Sequence, residues 1–410
     1  MSLRKQLERN INLIYIVGAL TWGRFFIPVL ALFYIASQVS IEQFTIIFSA
    51  FMIATLLLEI PSGVIADLLG HKKTLLISRS LYIVEIALLA FCNGFVPFLI
   101  AKIISGVGVS LSSGTNQAFL YNTLKKLKRE KEHKAISGKS LTIRNISMAF
   151  VFIIGAALFK INPKLPAYAS LPFTIFAFIL TFWYFEPYKN KTTMTIKNSW
   201  KHLKEGMKLF IKNQNIKYLL IYSFFIATII EISVSVSSAY LEVIKIPIIL
   251  IGVIAFISAL FMAYSAKQAN KLEEKIGERK TFELINIIGL IGIGGMTFLI
   301  PYIGILFYLL IALSSGAFSI ISNHYMNESV SHKHRATMLS IKNLFVALGA
   351  AILYPITGFL IKNYSMTIAF GSLTIFLILG IISSELYKHI NKIKLNNEEN
   401  NQFKLKTTTK

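Results

Sequence analysis

Arg24, Glu85, Lys102, Arg144 and Glu231 each interrupt a long run of apolar residues. A charge at the centre of an apolar helix costs about 2.5 to 3.5 kcal/mol on insertion scales, so a chain that keeps one has a use for it. A carboxylate in such surroundings can take up and release a proton, and an arginine can hold an anionic group with two hydrogen bonds. Plain structural uses stand beside these: an ion pair inside the bundle, a headgroup contact, or, for Lys102, a stem that carries its ammonium outward to water. Asn116, Gln117, Asn323, His324 and Tyr325 add polar groups in apolar surroundings. For each alone, a hydrogen bond to neighbouring backbone competes with a place on a solute path. No Gly-x-x-x-x-Gly-Lys-Ser loop follows a strand, and no His, Cys and Glu cluster has metal-ligand spacing. The expected chemistry is therefore binding and proton exchange, with no cofactor, no metal and no enzymatic step.

The elements that would position these groups follow from composition. Of 410 residues 55% are hydrophobic, 13% aromatic and only 15% charged, which excludes an ordinary water-soluble globule. A hydrocarbon core about 30 Å thick takes roughly 20 apolar residues per helix. Twelve such spans are expected near 11–36, 41–66, 74–93, 95–121, 136–160, 163–185, 216–240, 246–270, 280–300, 302–328, 336–362 and 366–388. The runs are continuously apolar and lack the alternation of a membrane barrel, so the fold class is an all-α membrane protein. The first span is long and without a small-residue cleavage site, and reads as a helix that stays. The single cysteine, Cys92, excludes an internal disulfide and reads as packing.

The formal charge of +23 would suggest nucleic acid in a soluble protein. Here most of the 42 Lys and Arg fall in the N-terminus, in alternate loops and in the C-terminus, as orientation by positive charge predicts. Both termini are expected in the cytoplasm, the protein being multi-pass in a bacterial inner membrane. The basic runs, such as 125–131, carry no interleaved aromatics, so nucleic acid is not an expected partner. The bilayer is, with anionic lipid headgroups a lesser reading of the same lysines.

The longest polar stretch divides the spans six and six. The expected organisation is a six-helix bundle over 1–187, a linker over 188–215 with an amphipathic helix on the membrane surface, a second bundle over 216–390, and a disordered tail over 391–410. Two segments repeat between the halves. Leu141-Thr142-Ile143-Arg144-Asn145 matches Leu339-Ser340-Ile341-Lys342-Asn343, and Asp67-Leu68-Leu69-Gly70-His71-Lys72-Lys73 matches Glu274-Lys275-Ile276-Gly277-Glu278-Arg279-Lys280. Both pairs lie about 200 residues apart, at equivalent places in each half, which predicts a duplication.

The order Gly63-x-x-x-Asp67-x-x-Gly70 followed by His71, Lys72 and Lys73 resembles the loop between the second and third helices of the major facilitator superfamily of secondary transporters. Gly63 and Gly70 would allow close approach and a tight reversal. Asp67, at a helix C-terminus, opposes its own helix dipole and needs a partner such as Lys72, Lys73 or Arg79, or another helix's N-terminus. The resemblance implies that this loop latches onto the eleventh helix, which begins near 335–338, in the outward-facing carrier; a capped turn with no gating role is the plainer reading. His71 and Lys72 replace the usual arginine-rich pair, and Asn270 replaces the first glycine of the second copy. Lys102-x-x-x-Gly106-x-Gly108 looks like the family's Arg-x-x-x-Gly-x-Gly motif, whose basic residue is linked to proton movement. Gly106, Ser110 and Gly114 form a packing stripe. Span five shows only Gly155-Ala156-Ala157 where the drug antiporters carry a longer glycine-proline element.

The resemblance implies twelve helices in two pseudo-symmetric six-helix bundles, with helices one, four, seven and ten lining a central path, so that Arg24 and Glu231 could meet across it. The expected function is alternating-access transport of a small organic solute by a monomer, with protons as coupling ion and export the first direction. Nutrient or metabolite uptake is the alternative, and a non-transporting membrane sensor or scaffold the alternative of another class.

Overall fold

The structure, a computed structural model, describes residues 2–188, 213–330 and 335–393. The expected linker helix and the C-terminal tail fall almost wholly outside the described residues. Within them the chain is helical and contains no strand.

Among the described residues ten helices are long and apolar enough to cross a membrane. In the first half these are α3 (Ile41–Leu69), α4 (His71–Phe91), α5 (Phe95–Lys126), α6 (His133–Ile161) and α7 (Leu165–Phe182). They are preceded by α1 (Leu3–Thr21) and the short α2 (Leu30–Ala36), which share the first span. In the second half the seventh span is α8 (Gln214–Ser235) and the short α9 (Ser237–Val243). It is followed by α10 (Ile248–Ile276), α11 (Glu278–Met296), α12 (Ile303–Glu328), α13 (Arg335–Asn363) and α14 (Met366–Ile390). α1 and α11 fall outside the ten because their first turns carry Arg4, Lys5, Glu8 and Arg9, and Glu278, Arg279, Lys280 and Glu283. With them the order of helices among the described residues fits the twelve expected spans, each near its expected place.

The chain divides into two compact units, Met1–Trp200 with Ile246–Phe256, and Lys201–Lys245 with Ile257–Lys410. The same helix pairings recur inside each. In the first, α4 packs on α5 and α7, and α1 on α6 and α7; in the second, α11 packs on α12 and α14, and α8 on α13 and α14. Large apolar side chains such as Leu57, Phe91, Phe150, Phe176, Phe298 and Ile375 stay exposed on the outer faces. In a bilayer such residues meet lipid tails, so the internal packing rests on small residues, aromatics and hydrogen bonds.

The loop after the second span of each half shows the duplication at atomic detail. Gly70 and Gly277 both have φ near the left-handed region, 87° and 83°, and each passes straight into the next helix. A side chain would be strained at either position. In the first half α4 starts without a side-chain cap of its own, and Glu186, just beyond α7, supplies one. Its carboxylate accepts from the Lys72 amide at 2.7 Å and contacts His71 Nδ1 at 3.2 Å, where the helix dipole favours an anion. In the second half Glu278 occupies the first turn of α11 and accepts from Lys388 Nζ of α14 at 2.9 Å. Each bundle thus ties its third span to the end of its sixth through a carboxylate, which comes from beyond the sixth span in the first half and from the third span in the second.

Two departures from the sequence reading concern continuity. The first span is not one helix: α1 stops at Thr21, a 3-10 turn covers Ile27–Val29, and α2 follows. Pro28 has no amide hydrogen for the Arg24 carbonyl and its ring crowds that carbonyl, so the helix breaks there. The freed Phe25 amide donates to Ser170 Oγ at 2.9 Å. The seventh span breaks at Val236, where Ser235 and Ser237 bond back to the Glu231 and Val234 carbonyls at 2.9 and 2.7 Å and bend the helix.

A third departure concerns glycines. A Cβ on Gly155 would lie 1.9 Å from the Phe25 carbonyl oxygen, and one on Gly106 would lie 2.9 Å from Ala54 Cβ, but Gly63 and Gly114 have open space around them. Among the described residues the small-residue stripe therefore works at Gly106 and not at Gly114, and none makes a close approach at Gly63. Gly155, which in the sequence is only a fragment of an antiporter motif, is what lets α6 meet the broken first span. Gly155→Ala is expected to destabilise the protein by about 1–3 kcal/mol through overpacking, whereas Gly114→Ala should be neutral or slightly stabilising. Thermal unfolding of both purified variants in detergent checks the pair; equal melting temperatures would contradict the packing at Gly155.

Candidate functional site

The break in the first span frees the backbone around Arg24 and turns its side chain toward α4. The Arg24 guanidinium meets both oxygens of Glu85, Nη1 to Oε1 at 3.1 Å and Nη2 to Oε2 at 2.9 Å. Lys102 of α5 reaches the same carboxylate, Nζ to Oε1 at 3.2 Å. Glu85 is completely buried, and its two cations are nearly so. Aromatic faces line the cluster: Arg24 lies 4.7 Å from the Tyr82 ring centre, and Lys102 lies 5.0 and 5.3 Å from Phe48 and Phe51. Lys102 therefore does not extend outward to water. Its stem runs inward to the carboxylate, because in a low dielectric the unpaired alternative costs several kcal/mol for either group. Three candidates from separate spans are brought together, with two positive charges for one negative.

The second half carries its acid in a different setting. Glu231 lies half-buried in α8, and its carbonyl accepts from Ser235 Oγ at 2.9 Å. Ser235 in turn shares a 2.6 Å hydrogen bond with Tyr354, whose hydroxyl is within electrostatic reach of the Glu231 carboxylate. Both Arg24 and Glu231 thus belong to the interrupted first span of their own half, Arg24 inside the break and Glu231 just before it.

Of the other candidates, Asn116 donates to the Ser112 carbonyl of its own helix at 2.7 Å, so its amide is satisfied locally. Arg144 stands half-buried 5.2 Å from the Trp22 ring centre. Asn323 accepts from Lys342 Nζ at 2.7 Å, whereas His324 is exposed and 3.7 Å from Glu328. Lys342 does not stand out as a site residue in the sequence. It appears there only as the repeat partner of Arg144, and that pairing was the available signal.

In the loop, Asp67 is half-buried within electrostatic reach of His71. The carboxylate that caps the turn is Glu186, distant in sequence and not among the expected partners. Arg79 is buried 5.6 Å from the Tyr82 ring centre, its Nε without a hydrogen-bond partner among the described residues. No group of three or more metal-ligating side chains forms among the described residues.

Removing Glu85 leaves two buried cations without their counter-charge. Glu85→Gln is expected to destabilise the protein by about 3–5 kcal/mol, and adding Lys102→Met to it to restore part of that loss. Melting temperatures of the single and double variants decide this; a double variant no more stable than Glu85→Gln alone would mean that Lys102 does not share the carboxylate.

Comparison with known proteins agrees with this architecture. The Major Facilitator Superfamily profile matches residues 12–322 and 268–405. The MFS-type transporter YxaM of Bacillus subtilis (strain 168) is 22% identical over 387 residues, covering 90% of this chain and 93% of its own. Among solved structures, the nucleoside transporter NupG superposes with a TM-score of 0.73 at 16% identity, covering 96% of this chain and 100% of its own. The D-xylose-proton symporter superposes with a TM-score of 0.72 at 14% identity, covering 92% and 96%. At such identities the solved structures speak for the fold, and the profile match over most of the chain speaks for descent: this chain belongs to the Major Facilitator Superfamily of membrane transporters.

Proposed function

We propose that the chain is a proton-coupled carrier that moves a small organic solute by alternating access, with export as its working direction and both termini in the cytoplasm. The carrying observation is Glu231, a half-buried carboxylate midway along the seventh span and beside the Ser235–Tyr354 hydroxyl pair. Glu85 is flanked by two cations and sealed from solvent, which suits a fixed charge that holds spans one, three and four together. Glu231 has the exposure and the hydroxyl neighbours that proton exchange needs. Arg24 keeps 13% of its side chain exposed and is the member of its cluster able to touch a solute. The residues from Gly63 to Lys73, with Arg79, serve as the gate at their end of the bundle, and Glu186 is the group that sets its geometry.

Uptake by symport is the second reading. It draws on the activity of one protein of similar fold, a D-xylose-proton symporter. The purified protein in proteoliposomes, offered nucleosides and pentoses with and without an imposed pH gradient, separates the two by the sign of the gradient that drives accumulation. Glu231→Gln is expected to abolish gradient-driven accumulation while solute exchange across the membrane continues. Full gradient-driven flux in that variant would remove Glu231 from the proton path.

A further inference from the structure

Lys342, in the middle of the second half, is a buried cation whose partners are all neutral. It is 6% exposed, and its ammonium donates to Ser322 Oγ at 2.8 Å and Asn323 Oδ1 at 2.7 Å. The Phe318 ring centre lies 5.2 Å away. No carboxylate among the described residues pairs with it. An ammonium has three donors, and two are used here. Ser322 is buried, but Asn323 is partly exposed, so the polar group beside the ammonium reaches the surface of the unit.

Arg144 stands at the repeat-equivalent position of the first half, in the matching segments Leu141–Asn145 and Leu339–Asn343. It too has no carboxylate partner among the described residues, and its guanidinium faces the Trp22 ring. The contrast with Lys102 is instructive. Lys102 has a carboxylate, Glu85, against its ammonium. At the two repeat-related positions on α6 and α13 none is in place among the described residues. A buried positive charge solvated only by a hydroxyl and an amide is costly in a low dielectric, and an anion arriving beside it gains what the empty site lacks.

We infer that the transported solute carries an oxyanion, and that Lys342 with Ser322 and Asn323 is the subsite that receives it. The inference rests on the carrier reading above and narrows it from small organic solutes to organic anions. Ser322 and Asn323 hold the ammonium in place in the empty state. The third ammonium donor and the partly exposed amide are the groups a carboxylate or phosphate meets.

Ligand-induced thermal stabilisation of the full chain tests it, with succinate and citrate as carboxylates, glucose 6-phosphate as the phosphate, and uridine and D-xylose as neutral solutes, each at millimolar concentration. At least one anionic class is expected to raise the melting temperature, and the pattern among the arms tells carboxylate from phosphate. Lys342→Gln is expected to weaken that anion's Kd about tenfold or more, and Lys342→Arg to retain most of it. Asn323→Ala provides an independent second variant, with the same direction expected, should Lys342→Gln fail to fold. Stabilisation by the neutral solutes alone, by no anion, or by an anion with unchanged Kd in Lys342→Gln and Asn323→Ala would each overturn the inference. Counterflow in proteoliposomes keeps the two readings apart: flux of neutral solutes that ignores anions sinks the anion subsite and leaves the carrier standing, whereas absence of any flux sinks the carrier.

Discussion

A charge surrounded by hydrocarbon must find its counter-charge inside the protein, and Glu85 shows how this chain meets that constraint. The carboxylate is held by Arg24 from the first span and Lys102 from the fourth, so one buried anion pins three spans at mid-bundle. Apolar side chains cannot do this in a bilayer, where lipid tails compete equally for every apolar face. The broken first span follows from the same need. Pro28 interrupts the helix, Gly155 admits the Phe25 carbonyl, Ser170 satisfies the Phe25 amide, and the interruption carries Arg24 to its partner.

The duplication explains why the two halves look alike and also where they differ. Helix pairings repeat, the positive-φ glycines repeat, and each first span is interrupted. The charges do not repeat. The third-to-sixth-span tie uses an acid from the sixth span in one half and a lysine in the other, Glu186 against Lys388. The first span holds an arginine in one half and a glutamate in the other. Two halves of one scaffold keep the same geometry while the groups on it differ, because a carboxylate can tie the two spans from either side as long as a donor faces it.

Much of the fold was legible in the chain. Span count, helical class, the tight turns at Gly70 and Gly277 and the repeat between Arg144 and Lys342 all rest on local runs and spacings. The candidate site was legible only as a set of residue types: Arg24, Glu85 and Lys102 were visible as charges out of place, but not as one cluster. They are 61 and 17 residues from Glu85, and which spans touch is a matter of packing. Glu186 was missed because its helix ends in an ordinary polar stretch, and Lys342 because it read as a repeat marker with no acid nearby in sequence. At Gly63 the spacing fits the loop motif, and no atom of the described residues lies within 4 Å of where a Cβ would stand.

The sequence by itself determined that this protein lives in a bilayer, crosses it with helices and repeats segments between its halves, because hydropathy, charge placement and repetition are properties of the linear chain. Only the tertiary structure decided which charges neutralise each other and which stand beside neutral groups. That distinction depends on distances of about 3 Å between residues far apart in the chain, and a buried ion pair and a lone buried cation are spelled with the same letters.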